Sequence, residues 1–351
     1  MSGKDLARRT VIAVHLDGVD ISEDINNYLL SMTYTDNEGD KTDDLQISLD
    51  DREGIWLEDW LSGRSDSDTG TRGLIISAVI IQKNFNSDGT DDVLDCGEFE
   101  IDGLDASGPP GAAAIKATSL PYSSSVRMET KTKAWENINL SAIAEEMATD
   151  NGMMCMYESS FDPLYDRREQ MQISDIVFLQ GLCYDAGISL KVTGNIIVLF
   201  DAAEYEEKPA VREIKRGESD VISYRFGAST HGTYSKCNVR YTDPQTGQTI
   251  EYTYTPKHAD PDAPVLNINE RVRTRDEARN LAMRRLRQKN KEEYSAEFTL
   301  AGDVSLVAGV NVDVAGWGMF DGKYIIQSTT HSVTASGYTL QIKLRRVLED
   351  Y

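Results

Sequence analysis

Any catalytic or metal chemistry in this chain would have to come from four histidines, four cysteines and an excess of carboxylates. The histidines are His15, His231, His258 and His331. None falls in an HxxxH, HExxH or HxH spacing, so no two are placed to share a metal from one helix face or strand. Each reads as a packed or exposed residue, and His331 as a structural hydrogen-bonding group near a strand end. Cys96, Cys155, Cys183 and Cys237 form no CxxC pair. Scattered singly over so long a chain, they read as reduced cytosolic thiols rather than a zinc site or a disulfide framework. No GxSxG, P-loop or GxGxxG segment is present. Carboxylate pairs such as Asp43-Asp44, Asp50-Asp51 and Asp91-Asp92 are too frequent for one to stand out as a glycosidase dyad. The expectation is a non-enzyme with no catalytic, cofactor or metal residue.

What remains is charge arranged for contact. The loop 35–44 carries Asp36, Glu38, Asp40, Asp43 and Asp44. It lacks the EF-hand order, because its glycine falls at the wrong place. It reads either as a solvated loop or as a docking loop. The predicted helix 274–291 carries Arg275, Arg279, Arg284, Arg285, Arg287, Lys289 and Lys291, a local reversal in a chain of formal net charge −22. It reads either as a solvated face or as a contact with an acidic neighbour, with Arg284, Arg285 and Arg287 as the candidate interface residues. The overall negative charge repels phosphate and argues against tight nucleic-acid binding.

These residues need elements to hold them. A content of 40% hydrophobic and 27% charged residues is ordinary for a globular chain, and 351 residues allow two or three domains. The run 11–16 is interrupted by His15 and too short for a signal-peptide core, and no stretch approaches the roughly 18 apolar residues of a membrane span. The expectation is a chain made in a bacterial host cytoplasm, without a cleaved signal. Strands are expected over 11–16, 28–34, 45–49, 74–82, 93–104 and 112–120, separated by turn signals at Asp17-Gly18, Asn86–Gly89 and Ser107–Gly111. Many short strands with turns between them point to a barrel or sandwich. Residues 138–200 change character. Leu140, Ile143, Ala144 and Met147 recur at helical spacing, with Asn151-Gly152 as the stop. A second helix is expected from Ser174 to Ala186, closed by Gly187. A hairpin then turns at Thr193–Asn195. After a charged connector over 201–220, strands resume at 221–226, 236–241, 294–300, 310–314, 324–328 and 338–344. The helix from Thr274 opens with a capping box, Thr274 to Glu277, and its inner stripe is Ala278, Leu281, Ala282 and Leu286. The predicted domains are 1–125, 126–205 and 206–351.

The two strand-rich parts end alike. Gly97-Glu-Phe99-Glu-Ile101 leads to Ser107-Gly108 and Ile115-Lys116, and Gly322-Lys-Tyr324-Ile-Ile326 leads to Ser336-Gly337 and Ile342-Lys343. The closing Ile falls 18 residues after the Gly in one and 20 in the other. Each copy reads as a strand, a Ser-Gly turn and an antiparallel return. Two such units per chain would let three chains present six similar units to a sixfold ring.

Three stretches carry a family resemblance. They are Ser174-Asp175 with Phe178-Leu179 and Leu182 to Lys191, then Ile268 to Val272 with Ala278, Ala282 and Leu286-Arg287, then Phe320 to Ile326 with His331 and Ser336-Gly337-Tyr338. With these the chain resembles, over roughly 10–350, the phage late control D family of contractile-tail baseplate hubs and the hub-like N-terminal part of VgrG spike proteins. Its motifs are structural, so they specify fold better than chemistry. The resemblance implies a mainly β fold with two tube-like β-barrel domains and a small α/β insert domain. It implies a homotrimer, a symmetry adaptor between a hexameric tail tube ring and a central spike protein. Tape-measure and baseplate wedge proteins are further expected neighbours, and the expected location is the baseplate of a virion or tail-like particle. Spike and lysozyme parts are expected on separate polypeptides. The alternative reading is a cell-wall-binding or hydrolytic tail component.

Overall fold

The computed structural model describes residues 6–56, 73–85, 87, 89–120, 125–257, 259–348 and 351. His258, Trp60 and part of the expected 86–89 turn lie outside the described residues. Of the described residues 50% are strand and 19% helix, so the fold is mainly β.

The first strand-rich unit contains β1 (Arg9–Leu16), β2 (Val19–Asp20), α1 (Ser22–Tyr28), β3 (Leu29–Asn37), β4 (Asp44–Asp50), β5 (Ile75–Lys83), β6 (Asp91–Ser107) and β7 (Ala112–Thr118). Its hydrogen-bonded order is β1-β5-β6-β7-β4-β3, with every neighbour antiparallel. Strand alternation turns Leu45, Ile47 and Leu49 of β4 and Ile76, Ala78 and Ile80 of β5 into one core. The short helix α1 left no sequence signal, because its residues are polar and only Ile25 is buried.

The insert contains α2 (Ser125–Met128), β8 (Thr130–Asn139), α3 (Leu140–Asp150), β9 (Met154–Glu158), β10 (Leu164–Ser174), α4 (Asp175–Ala186), β11 (Ser189–Thr193) and β12 (Ile196–Phe200). Both expected helices are present and end where the glycines allow a left-handed backbone, at Gly152 (φ 68°) and Gly187 (φ 65°). Their apolar stripes pack on the sheet β11-β12-β9. The pair β8 and β10 was not expected. Its residues are mostly exposed and charged, and a strand with one wet, charged face gives little apolar periodicity.

The rest contains α5 (Ala202–Glu206), β13 (Ala210–Lys215), β14 (Val221–Ala228), β15 (Lys236–Thr242), β16 (Thr249–Tyr254), β17 (Val265–Ile268), α6 (Arg275–Asn290), β18 (Tyr294–Ala301), β19 (Asn311–Ala315), β20 (Gly322–Thr334) and β21 (Gly337–Arg346). The expected capping of α6 is present: Thr274 Oγ1 accepts from the Glu277 N–H at 3.1 Å, and the Glu277 carboxylate accepts from the Arg273 N–H at 2.7 Å. The helix does not lie on the second strand-rich unit. Ala278, Ala282 and Leu286 pack with Cys237 and Val239 on a separate three-stranded sheet, β16-β15-β17. The remaining strands form the second unit, in the order β13-β19-β20-β21-β18-β14.

The two units repeat each other strand for strand. In the ladders, Ala78 pairs with Gly97 and Val314 with Gly322. Gly103 pairs with Lys116 and Ser328 with Lys343, each just after a bulge, at Asp102 and at Gln327. Gln46 faces Lys116 and Glu297 faces Lys343. Thr33 faces Gln46 and Arg225 faces Glu297, each beyond a second bulge, at Leu30 and at Ile222. Even the loop bonds match: Ile101 N–H donates to Leu74 O at 3.0 Å and Ile326 N–H to Val310 O at 2.9 Å. Only the outermost pairing differs, since β1 runs antiparallel to β5 and β13 parallel to β19.

Closed barrels are not what the hydrogen bonds among the described residues draw. Strand β3 pairs with β20 from Ser31↔Thr334 to Asn37↔Ser328, so both units share one 13-stranded sheet whose path stays open. The cause is strand length. Residues 322–325 of β20 pair with β19, and the strand then outruns that partner, leaving an edge that takes β3.

Candidate functional site: a charged seam

The acidic loop and the arginine helix, far apart in sequence, meet along one seam. The end of β3 carries Asp36 inward, where its carboxylate accepts from Lys191 Nζ at 2.5 Å and from the Ala308 N–H at 2.8 Å. One side chain thereby ties the first unit to the insert and to the second unit. Lys191 also donates to Asn37 O at 2.8 Å and lies 3.2 Å from Asp43. Burial pushes the Asp43 carboxyl up to about 6 against the pull of Lys191, and its Oδ1 accepts from the Asn37 N–H at 2.8 Å. Burial works to lower the Lys191 ammonium, but the facing Asp36 and Asp43 carboxylates outweigh it and hold it up.

Glu38 continues the seam. It lies 3.0 Å from Arg345, which is 1% exposed and also paired with Glu206. Glu206 takes a second cation, Arg287. The chain Glu38–Arg345–Glu206–Arg287 thus joins the loop after β3 to β21, α5 and α6. Arg284 donates to Asp201 at 2.8 Å and to Gly187 O at 3.3 Å, and stacks 4.1 Å over the Phe161 ring. Gly187 is required there: a Cβ would come within 2.9 Å of the Arg284 Cβ, besides the cost of its positive φ. Arg285 lies 2.9 Å from Asp185 and 3.1 Å from Glu270. Six of the eight candidate residues are therefore held in ion pairs within the chain. Asp40 and Asp44 stay exposed, with carboxyls raised by partial burial.

A cavity of about 560 Å³ opens on the seam, lined among others by Asp40, Asp201, Arg284, Arg287, Lys291 and Tyr351. Of its charged lining groups, Asp201, Glu206, Arg284, Arg287 and Arg345 are paired ions, and no histidine or thiol is on the lining. Among the described residues no group of three His, Cys, Asp or Glu could hold a metal. The four cysteines are free thiols. His331 is buried, with Nδ1 2.6 Å from the Tyr338 hydroxyl, and burial pushes it down to about 4. Among the described residues no helix is long and apolar enough to cross a membrane. Sequence reading missed Lys191, Asp201, Glu206 and Arg345. Arg345 sits beside the buried Leu344 and breaks the in-out alternation of β21, and Glu206 lies in a Glu-rich run that looks wholly solvated.

No family model matches the chain. Two curated relatives do: the "Probable baseplate hub protein" of Escherichia phage P2, 25% identical over 231 residues, and that of Escherichia phage 186, 22% identical over 230. The chain is a relative of phage baseplate hub proteins. In each case the match covers 64% of this chain and 54% of the relative, so the chain spans about half the length of the curated relatives it matches. Solved structures extend the fold likeness across nearly the whole hub-related chain. The prophage MuSo2 43 kDa tail protein from Shewanella oneidensis has a TM-score of 0.68 at 15% identity, covering 97% of this chain and 99% of that one. A tail protein from Neisseria meningitidis MC58 has a TM-score of 0.69 at 10% identity, with 96% of both chains covered. A chain of the Francisella PdpA-VgrG complex has a TM-score of 0.53 at 8% identity, with 97% and 58% covered. At these identities the structural likeness shows the fold, and the two curated relatives are named as baseplate hub proteins of phage tails.

Proposed function

We propose that the chain is the central hub of a contractile-tail baseplate: a homotrimer whose six strand-rich units present near-sixfold symmetry to the tail tube ring and threefold symmetry to a central spike protein. The observation that carries this reading is the repeat itself, two units with one strand order, one set of facing residues and two bulges at equivalent places. A chain with two like units meets a sixfold partner with three copies, and closed rings satisfy every interface. Closure of the strand-rich units into tube-like walls belongs to this assembly. The role is mechanical and non-enzymatic, with the charged seam holding units, insert and helix layer in fixed relation. Asp40 and Asp44, exposed beside the seam, are the residues we assign to contact with the tube ring. Tape-measure and wedge proteins are the further neighbours of such a hub.

Light scattering on the purified chain tests the core of this. A mass of three chains supports the hub, and a strict monomer with peptidoglycan binding or cleavage would favour the wall-active alternative. Asp40→Lys with Asp44→Lys is expected to leave that mass unchanged and to reduce co-purification with tube protein.

A further inference from the structure

The repeat has one unequal feature, and it identifies a joint. Inside the chain, strand β3 of the first unit is covered by the far half of β20 of the second unit. The equivalent of β3 is β14, and the equivalent of the far half of β20 is residues 103–107 of β6. Among the described residues both equivalents lack that partner: β14 pairs only with β18, and beyond Glu100 strand β6 has left β5. Two complementary strand edges are thus open in one chain, and an open edge is a template for another strand.

We propose that β14 of one copy adds antiparallel to residues 103–107 of β6 in a second copy, repeating between chains the pairing that β3 and β20 make within one. This rests on the ring assembly proposed above and specifies its joint. Transferring the facing residues of β3 and β20 through the repeat sets the register: Leu104 faces Ala228, Asp105 faces Gly227, Ala106 faces Phe226 and Ser107 faces Arg225. The same transfer carries the Glu38 N–H to Gln327 O bond, 2.8 Å inside the chain, to a bond from Thr230 to Asp102 of the next copy.

Two features of these strands fit that partner, and a third sets where the joint ends. The stretch Val221-Ile-Ser-Tyr-Arg-Phe226 has the pattern of Leu29-Leu-Ser-Met-Thr-Tyr34, yet Tyr224 is 49% exposed where its equivalent Met32 is fully buried. In the proposed register Arg225 lies diagonal to the exposed Asp105, a distance that a long side chain spans. Strand β6 ends at Ser107, and beyond Gly108 the residues Pro109 and Pro110 have no N–H to donate, so the joint stops two pairs short of the β3–β20 ladder, which runs on to Ser31↔Thr334. The contact is head-to-tail, so it closes only as a ring.

The test is cysteine cross-linking of the full chain. Ser107 and Arg225 are exposed, so S107C with R225C leaves the fold intact, as checked by an unchanged melting temperature. Mild oxidation is expected to give a ladder of linked chains on a non-reducing gel. S107C with Y224C is expected to lose that ladder, because neighbouring side chains on a strand point to opposite faces. The unsubstituted chain sets the background from its own four thiols. If light scattering gives a trimer but S107C with R225C forms no ladder, the joint is wrong and the hub reading stands. A ladder of equal strength from the Y224C pair also refutes the register. A monomer by scattering with no ladder overturns the joint and the ring together.

Discussion

The two strand-rich units share strand order, facing residues and bulges, yet bury their sixth strand differently. In the first, β3 lies under β20 and Met32 is wholly enclosed; in the second, β14 is an open edge with Tyr224 half exposed. The residue patterns of the two strands match, so burial here follows from which partner lies alongside and not from composition. The units differ again at one position of the last strand. Thr118 in the first corresponds to Arg345 in the second, and the change of residue turns an ordinary buried hydroxyl into the centre of a four-member ion chain.

That comparison can be broken first at the cores. Ile47 and Phe298 occupy equivalent places facing Ile115 and Ile342. Phe298→Ala is expected to cost about 3–5 kcal/mol and Ile47→Ala about 2–5 kcal/mol, read from urea midpoints. Because the shared sheet couples the units, each variant should still unfold in one transition by circular dichroism and fluorescence. Separate transitions would show that the units are stable independently of their joint sheet.

The seam gives the next contrast. Arg345→Ala leaves Glu38 and Glu206 facing each other without their shared cation, at a cost of about 3–5 kcal/mol. The equivalent Thr118→Ala should cost only about 1 kcal/mol in the same urea titration. Similar losses at both sites would mean that the ion chain contributes no more than a hydroxyl.

Acid sharpens the difference further. His331 is held at about 4 by burial, below the roughly 6.5 of an unfolded histidine. Its neutral form is favoured by folding, so this contribution is complete above pH 6.5 and is lost as pH falls from there toward 4, by about 3 kcal/mol. The equivalent position in the first unit is Ala106, which cannot titrate. His331→Phe should flatten the fall in urea midpoint between pH 6.5 and 4. Asp43, raised to about 6, has the opposite sign. Its protonated form is favoured by folding, so its contribution is present below pH 3.9 and lost as pH rises through 6. Asp43→Asn should therefore make the acid loss of the wild type steeper.

Smaller effects than those of the cores and the ion chain belong to the paired glycines. Gly97 (φ 92°) and Gly322 (φ 143°) open the matching stretches, and alanine at either should cost about 1–2 kcal/mol through backbone strain. The Gly322 variant should melt lower, since its Cβ would press on the Arg346 guanidinium at 3.1 Å while the Gly97 Cβ meets open space. Thermal melts of the two single variants check the order.

Much of this was legible in the chain itself. The periodic stripe of α3, the capped start of α6, the stop at Gly187 and the Gly-aromatic-Ile opening of both hairpins depend on neighbours a few residues apart, and local spacing records them. The same holds for the absence of any familiar catalytic spacing. Tertiary structure alone decided the rest: that β20 outruns β19 and takes β3, that α6 lies on its own sheet, and that Asp36 finds Lys191 while Arg345 finds Glu206. A charge or a strand edge carries no mark of its partner until the chain brings the two together, because hydrogen bonds and ion pairs are made at a few ångströms in space and are indifferent to separation along the sequence.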